Sequence, residues 1–220
     1  MSEPKATASK TVEVLPGIHR WWVNDDRIGG VESDAFAVMH TGKVTLIDPL
    51  PLTDGALEAL GPVEAVVLSA GNHQRSAWAL RAKLHVPVFA PRGALGLVEK
   101  PDSVYESGDA LPGGLVAFHT PGPVESMHAL WTTTPVRTVF AADLLTHDGN
   151  GNLSFVASKY QEEPGRTRAS VRRILETLDP DALFVSHGPP LLKDVSAALS
   201  RALKEDPEHL SSESGVAAPR

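Results

Sequence analysis

Cysteine is absent from the 220 residues, so disulfides, thiolate zinc sites and cysteine nucleophiles drop out together and the redox compartment is not legible. Basic charge is in deficit as well: 20 lysines and arginines stand against 27 aspartates and glutamates, a formal net charge of −7. Non-specific nucleic-acid binding needs a cationic surface to displace counterions, so no nucleic-acid partner is expected. No apolar run approaches the ~20 residues of a membrane-spanning helix. The opening Met1-Ser2-Glu3-Pro4-Lys5 lacks the apolar segment of a secretory signal. No membrane partner is expected, therefore, and the expected location is cytoplasmic. Nor does any segment recur at a period of ~20–50 residues, the mark of solenoids and propellers.

What remains is ordinary in composition. A hydrophobic share of 42% with a charged share of 21% suits a soluble α/β domain with a sizeable core. The expected layout is a loose N-terminus over 1–10, a single domain over 11–206 and a weakly held tail over 207–220. Strand-like alternation begins at Thr11, where Val12 and Val14, then Ile18, Trp21 and Val23, flank a Pro16-Gly17 turn. Residues 24–30 read as loop, and 34–40 with 43–48 as a hairpin around Thr41-Gly42. Helices are expected over 53–60 with Thr53 as N-cap, over 76–84, and for a turn or two within 91–100. Further strands are expected at 87–90, 113–119, 127–132, 136–140 and 182–185, while 144–164, rich in Gly, Asn, Asp and Glu, reads as a long surface loop. Val171, Ile174, Leu175 and Leu178, then Val195, Ala198, Leu199, Ala202 and Leu203, mark the apolar stripes of two closing helices.

The stretch that organises the rest begins with Val63-Glu64-Ala65-Val66-Val67-Leu68, a buried strand by pattern. It runs into the polar loop Ser69-Ala70-Gly71-Asn72-His73-Gln74-Arg75. Ligands in α/β sheets collect beyond the carboxyl ends of strands, which makes this loop the first candidate for a site. Three further loops follow it in order: Thr120-Pro121-Gly122-Pro123, Phe140-Ala141-Ala142-Asp143 and Val185-Ser186-His187-Gly188-Pro189. Their order and spacing resemble the metallo-β-lactamase superfamily, with its Thr-His-x-His-x-Asp-His loop, Pro-Gly-His turn, strand-closing Gly-Asp and terminal Gly-His-Gly. The ending Ile47-Asp48-Pro49 resembles the close of that family's opening hairpin and would put Asp48 at the floor of the site. The resemblance implies an αβ/βα sandwich, two mixed sheets packed face to face with helices outside.

It also implies where a dinuclear zinc site would lie, and there the chain departs. The family's loop histidines fall on Ala70, Asn72 and Arg75, its loop aspartate on Gln74 and its turn histidine on Pro123. Only Asp143 and His187 keep ligand chemistry. Zinc takes about four ligands, about three of them from protein in a catalytic site, so no metal is expected, and a weakly held single zinc or other divalent ion is the alternative. A guanidinium at Arg75 is expected to pair with Asp143 as the counter-charge in place of the ions. His73 is a candidate third ligand or general base. Asn72, Gln74, Asp48 and Trp22 are expected to line the site, Trp22 as the outward member of the Trp21-Trp22 pair beside the 24–33 loop. Ser69, Ser76 and Ser186 are weak nucleophile candidates without an elbow motif. Glu125 and His128, on a loop and the next strand, are not expected to act together, and Trp78 and Trp131 are read as core.

Two functions follow. One is a superfamily member without the dinuclear zinc site that binds or regulates, taking a small molecule or peptide. The other is a hydrolase of esters, lactones or phosphodiesters with a rebuilt mononuclear or metal-free site at Asp143, His187 and His73. The sequence leaves homo-oligomer formation open.

Overall fold

The alternation read from Thr11 onward becomes two sheets in the computed structural model, which describes residues 3–206. The first sheet takes seven strands in chain order: β1 (Val12–Leu15), β2 (Ile18–Asp25), β3 (Val31–His40), β4 (Lys43–Ile47), β5 (Val63–Val67), β6 (Val88–Pro91) and β7 (Ser103–Tyr105). The second takes β8 (Ala110–Leu111), β9 (Leu115–His119), β10 (His128–Thr132) and β11 (Thr138–Phe140). After a separate hairpin of β12 (Leu145–His147) and β13 (Leu153–Phe155), the chain returns for β14 (Ala182–Phe184), parallel to β11. In the first sheet β1 to β4 are antiparallel, and β4 to β7 are parallel. The parallel pairs need crossovers, supplied by α1 (Asp54–Leu60) between β4 and β5 and α2 (Ala77–Leu84) between β5 and β6.

Side-chain alternation sorts the apolar residues into three layers. Phe36, Val38, Ile47 and Val67 of the first sheet meet Leu115, Leu130, Phe140 and Phe184 of the second in a shared core. The three phenylalanines pack with ring centres 5.0 to 5.4 Å apart, which adds ~0.5–1.5 kcal/mol per pair beyond the area they bury. On the opposite face of the first sheet, Ala35, Ala37, Leu46 and Val66 pack on Leu57 and Leu60 of α1 and Ala77, Trp78 and Leu80 of α2. The outer face of the second sheet is covered by α3 (Pro164–Thr177) and α4 (Val195–Glu205), through Val171, Ile174, Ala198 and Leu199. The result is the expected αβ/βα sandwich.

Several local expectations are corrected. Residues 91–100 form turns rather than a helix; Pro91 lies on β6, and Gly93 and Gly96 sit at φ 79° and 70°, values that break a helical run. The 144–164 segment is not a plain loop, because Leu145 and Leu153 are buried and pair it into the β12–β13 hairpin, followed by a short 3-10 turn at Ser158–Tyr160. Thr53 occupies the N-cap of α1 but makes no side-chain capping bond. Trp131 is partly buried against the outer core rather than enclosed by it. At the N-terminal side Ala8 is tied by backbone bonds to Pro51 and Thr53. The expected tail over 207–220 lies outside the described residues. No described helix is long and apolar enough to cross a membrane.

Candidate functional site

The carboxyl ends of β4, β5, β11 and β14 deliver Asp48, the 69–75 loop, Asp143 and His187 to one end of the sandwich. Asp48, Arg75 and Ala142 hold positive φ values of 46°, 34° and 49°. Such backbone costs about 1 kcal/mol or more per residue and persists where surrounding contacts over-determine it. The contacts are a chain of polar bonds centred on His73, which is 3% exposed.

His73 Nδ1 lies 2.9 Å from Asp48 Oδ2, and its Nε2 lies 2.9 Å from Asp143 Oδ2. Ionised carboxylate oxygens only accept, so both ring nitrogens must carry protons and the ring is an imidazolium. Burial works against that charge, but the Asp143 and Asp48 carboxylates outweigh it and hold His73 up at about 9. Burial likewise works against a charged Asp143; the His73 cation overcomes it, with help from His187, and keeps this carboxyl well below the usual range. Ser69 fixes the other end, its N–H donating to Asp48 Oδ1 at 2.8 Å and its hydroxyl to Asp48 Oδ2 at 2.5 Å.

His187 is the second imidazole beside Asp143. Its Nδ1–H donates to the Glu32 carbonyl at 2.8 Å, and its Nε2 lies 3.4 Å from Asp143 Oδ1. The side chains of His187 and Asp143 are 19% and 18% exposed, and Asp143 Oδ1 itself is enclosed without a hydrogen-bond partner. Burial lowers the His187 pKa, Asp143 raises it, and the net shift is upward. The next residue is Gly188, where an added Cβ would come within 2.0 Å of the His147 carbonyl oxygen; only glycine lets the loop close there.

The expected pairing of Arg75 with Asp143 is not what the structure contains. Arg75 Nη1 donates to the backbone carbonyls of Asp34 at 2.6 Å and Asp48 at 3.0 Å, so it ties the ends of two strands together while His73 supplies the counter-charge. The positive φ of Arg75 turns its side chain toward those carbonyls, a turn invisible in residue identity. Gln74 is also turned away, with its amide bonded to Gly96, Trp78 and Val98. Asn72 lies in a separate recess of about 120 Å³ with Leu95 and Val124, its Oδ1 without a partner. Trp22 stacks on Arg20, whose guanidinium carbon is 4.3 Å from the ring centre. Ser76 and Ser186 have enclosed, unpartnered hydroxyls, and Glu125 is paired with Arg166.

Three residues escaped the sequence reading: Arg20, Glu32 and Asp34. Arg20 bonds to both carboxylates, and Gly188 N–H donates to Asp34 Oδ2 at 3.0 Å, which anchors the His187 loop. Burial pushes Asp34 up to about 6 despite the Arg20 guanidinium beside it. The available signal was a charged residue at each of two places in otherwise apolar strands, Arg20 beside Trp21 and Asp34 before Ala35-Phe36.

Among the described residues, no group of three or more His, Cys, Asp or Glu is arranged to hold a metal ion. No family model and no curated protein matches the chain. Solved structures do. The crystal structure of VMB-1 at pH 5.5 is 14% identical, with a TM-score of 0.72 and coverage of 94% of this chain and 99% of that one. The metallo-β-lactamase FIM-1 from Pseudomonas aeruginosa, in its mono-zinc form, is 15% identical, with a TM-score of 0.69 and coverage of 92% and 97%. A metallo-β-lactamase from Hirschia baltica is 14% identical, with a TM-score of 0.68 and coverage of 90% and 98%. By that likeness this chain has the metallo-β-lactamase fold.

Proposed function

We propose that this chain works as a metal-independent binding or regulatory protein on a hydrolase-like fold, its cleft rebuilt around an internal cation. The observation that carries the reading is His73, held between Asp48 and Asp143 with both nitrogens engaged. A pair of zinc ions needs several His, Asp or Glu donors, each free to coordinate. The resemblance puts Ala70, Asn72, Gln74, Arg75 and Pro123 at the family's ligand positions, and Asp143 Oδ2 is engaged by His73. These residues do not fit a dinuclear zinc site. The ligand in this reading is a small molecule or peptide held beside His187, whose side chain is 19% exposed; nucleic acid is disfavoured by the net charge of −7. The setting is cytoplasmic.

One observation favours the hydrolase reading instead. His187 Nδ1 is fixed on Glu32 and its Nε2 lies 3.4 Å from Asp143 Oδ1, a histidine–carboxylate pair that serves as a general base above the raised pKa of the ring. Zinc uptake and turnover of an ester, lactone and phosphodiester panel, compared between the wild type and the Asp143→Asn and His187→Gln variants, separate the two. The binding reading expects no turnover and no zinc uptake that depends on Asp143. Turnover abolished by either substitution, or tight zinc lost in Asp143→Asn, overturns it.

A further inference from the structure

A second pair of imidazoles lies outside the cleft, on the second sheet. His119 and His128 are register partners on the antiparallel strands β9 and β10, so their side chains leave one face of the sheet side by side. Their ring centres are 4.9 Å apart with planes tilted by 38°. Each ring gives one N–H to a backbone carbonyl, His119 Nε2 to Glu125 at 2.8 Å and His128 Nδ1 to Ser126 at 3.0 Å. A carbonyl oxygen has no proton to give, so these bonds fix both tautomers. His119 Nδ1 and His128 Nε2 are left with their lone pairs. The two acceptors are consecutive residues of the turn between β9 and β10. Both rings line a cavity of about 370 Å³ whose walls include Arg92, Glu106 and Ser107.

We propose that His119 Nδ1 and His128 Nε2 together hold one divalent transition-metal ion of the imidazole-preferring class, zinc, nickel or copper, with water in its remaining positions. A metal-ligating imidazole almost always donates its other N–H to a carbonyl or carboxylate, which sets its tautomer and aim; both rings have that bond. Metal–nitrogen bonds of ~2.0–2.1 Å at a tetrahedral ion place two imidazole centres ~5 Å apart, close to the spacing present without any ion. Of the cations nearby, Arg92 is paired with Glu106 and Arg166 with Glu125, while Arg173 is tied to the His119 carbonyl oxygen at 2.8 Å. Tyr105 packs edge-on against His128 at 5.3 Å and holds it in place.

The test is titration of the untagged full-length chain with Cu²⁺ alone, followed by calorimetry and electron paramagnetic resonance. The expected result is one ion per chain coupled to two nitrogens, weakened at least ~10-fold by either His119→Gln or His128→Gln. Asp143→Asn and His187→Gln should leave it unchanged. The unfolding transition of each variant is measured alongside; His119, the more exposed of the pair, carries the test should His128→Gln fail to fold. Equal affinity in the wild type and His119→Gln, binding lost only in the cleft variants, or no binding at all overturns the proposal.

Discussion

His73 and His128 are both buried histidines with ring nitrogens bonded to oxygen, yet the kind of oxygen drives them to opposite charge states. His73 faces two carboxylates and is held up at about 9. His128 faces a carbonyl, and burial takes its pKa down. A full negative charge within bonding distance offsets the loss of hydration, whereas a carbonyl dipole does not. Burial alone therefore does not predict what a histidine in this fold does; the partner does. One imidazole has become a fixed internal cation, and the other remains a free base with a lone pair to offer.

The contrast is broken most severely by His73→Ala. It leaves Asp48 and Asp143 buried without their counter-charge, and denaturant unfolding should report a loss of about 3–5 kcal/mol. His119→Ala, which removes a bond to a carbonyl near the surface, should cost only about 1 kcal/mol.

The pH dependence of stability sharpens the same comparison. The folded pKa of His73 lies above its ordinary 6.5, so the folded state binds more protons between 6.5 and 9. The His73 contribution is complete below 6.5 and is lost as pH rises through 9, about 3 kcal/mol across the window. His128 acts in the reverse sense: its lowered pKa makes stability rise with pH up to about 6.5. Asp143, held low, contributes above its ordinary 3.8 and loses that contribution as pH falls through its lower folded pKa. Unfolding measured from pH 3 to 10 should show the alkaline decline in wild type and a smaller one, left by the raised pKa of His187, in His73→Gln.

Arg75→Met tests the corrected role of the guanidinium. Two buried carbonyls lose their donor, for about 1–3 kcal/mol. Arg75 also holds the His73 pKa down by its charge, so that pKa should rise in the variant. A variant in which the Asp143 carboxyl alone is disturbed would restore the pairing expected from sequence. The smallest effect is expected from Trp22→Leu, which removes the ring from Arg20 and should cost about 0.5–1 kcal/mol without moving either histidine.

The sandwich was legible because it rests on repeated signals. The strand patterns of β2 to β4, the apolar run of β5 and the two helical stripes each involve many residues, so an error at one position leaves the pattern standing. The site rests on single contacts. Residue identities marked Asp48, His73, Asp143 and His187 as members, but their pairing depends on the backbone turns at Asp48, Arg75 and Ala142, which no periodicity encodes. The resemblance points to Arg75 as the partner of the carboxylate, while His73, two residues before it, is the one that reaches Asp143. The β12–β13 hairpin was hidden because Leu145 and Leu153 are too widely spaced among polar residues to read as strands. His119 was overlooked because its neighbour His128 comes from register, not from sequence distance.

The central claim, that His73 is the cation of the cleft, is tested most directly by nitrogen-15 NMR of the histidine rings at neutral pH, with the His73 signal assigned by its absence in His73→Gln. The account predicts two protonated nitrogens on His73 through pH 7 to 8 and a titration midpoint near 9. A neutral His73 that titrates at or below 6.5, or one whose ring nitrogen is bonded to a metal ion, would contradict it.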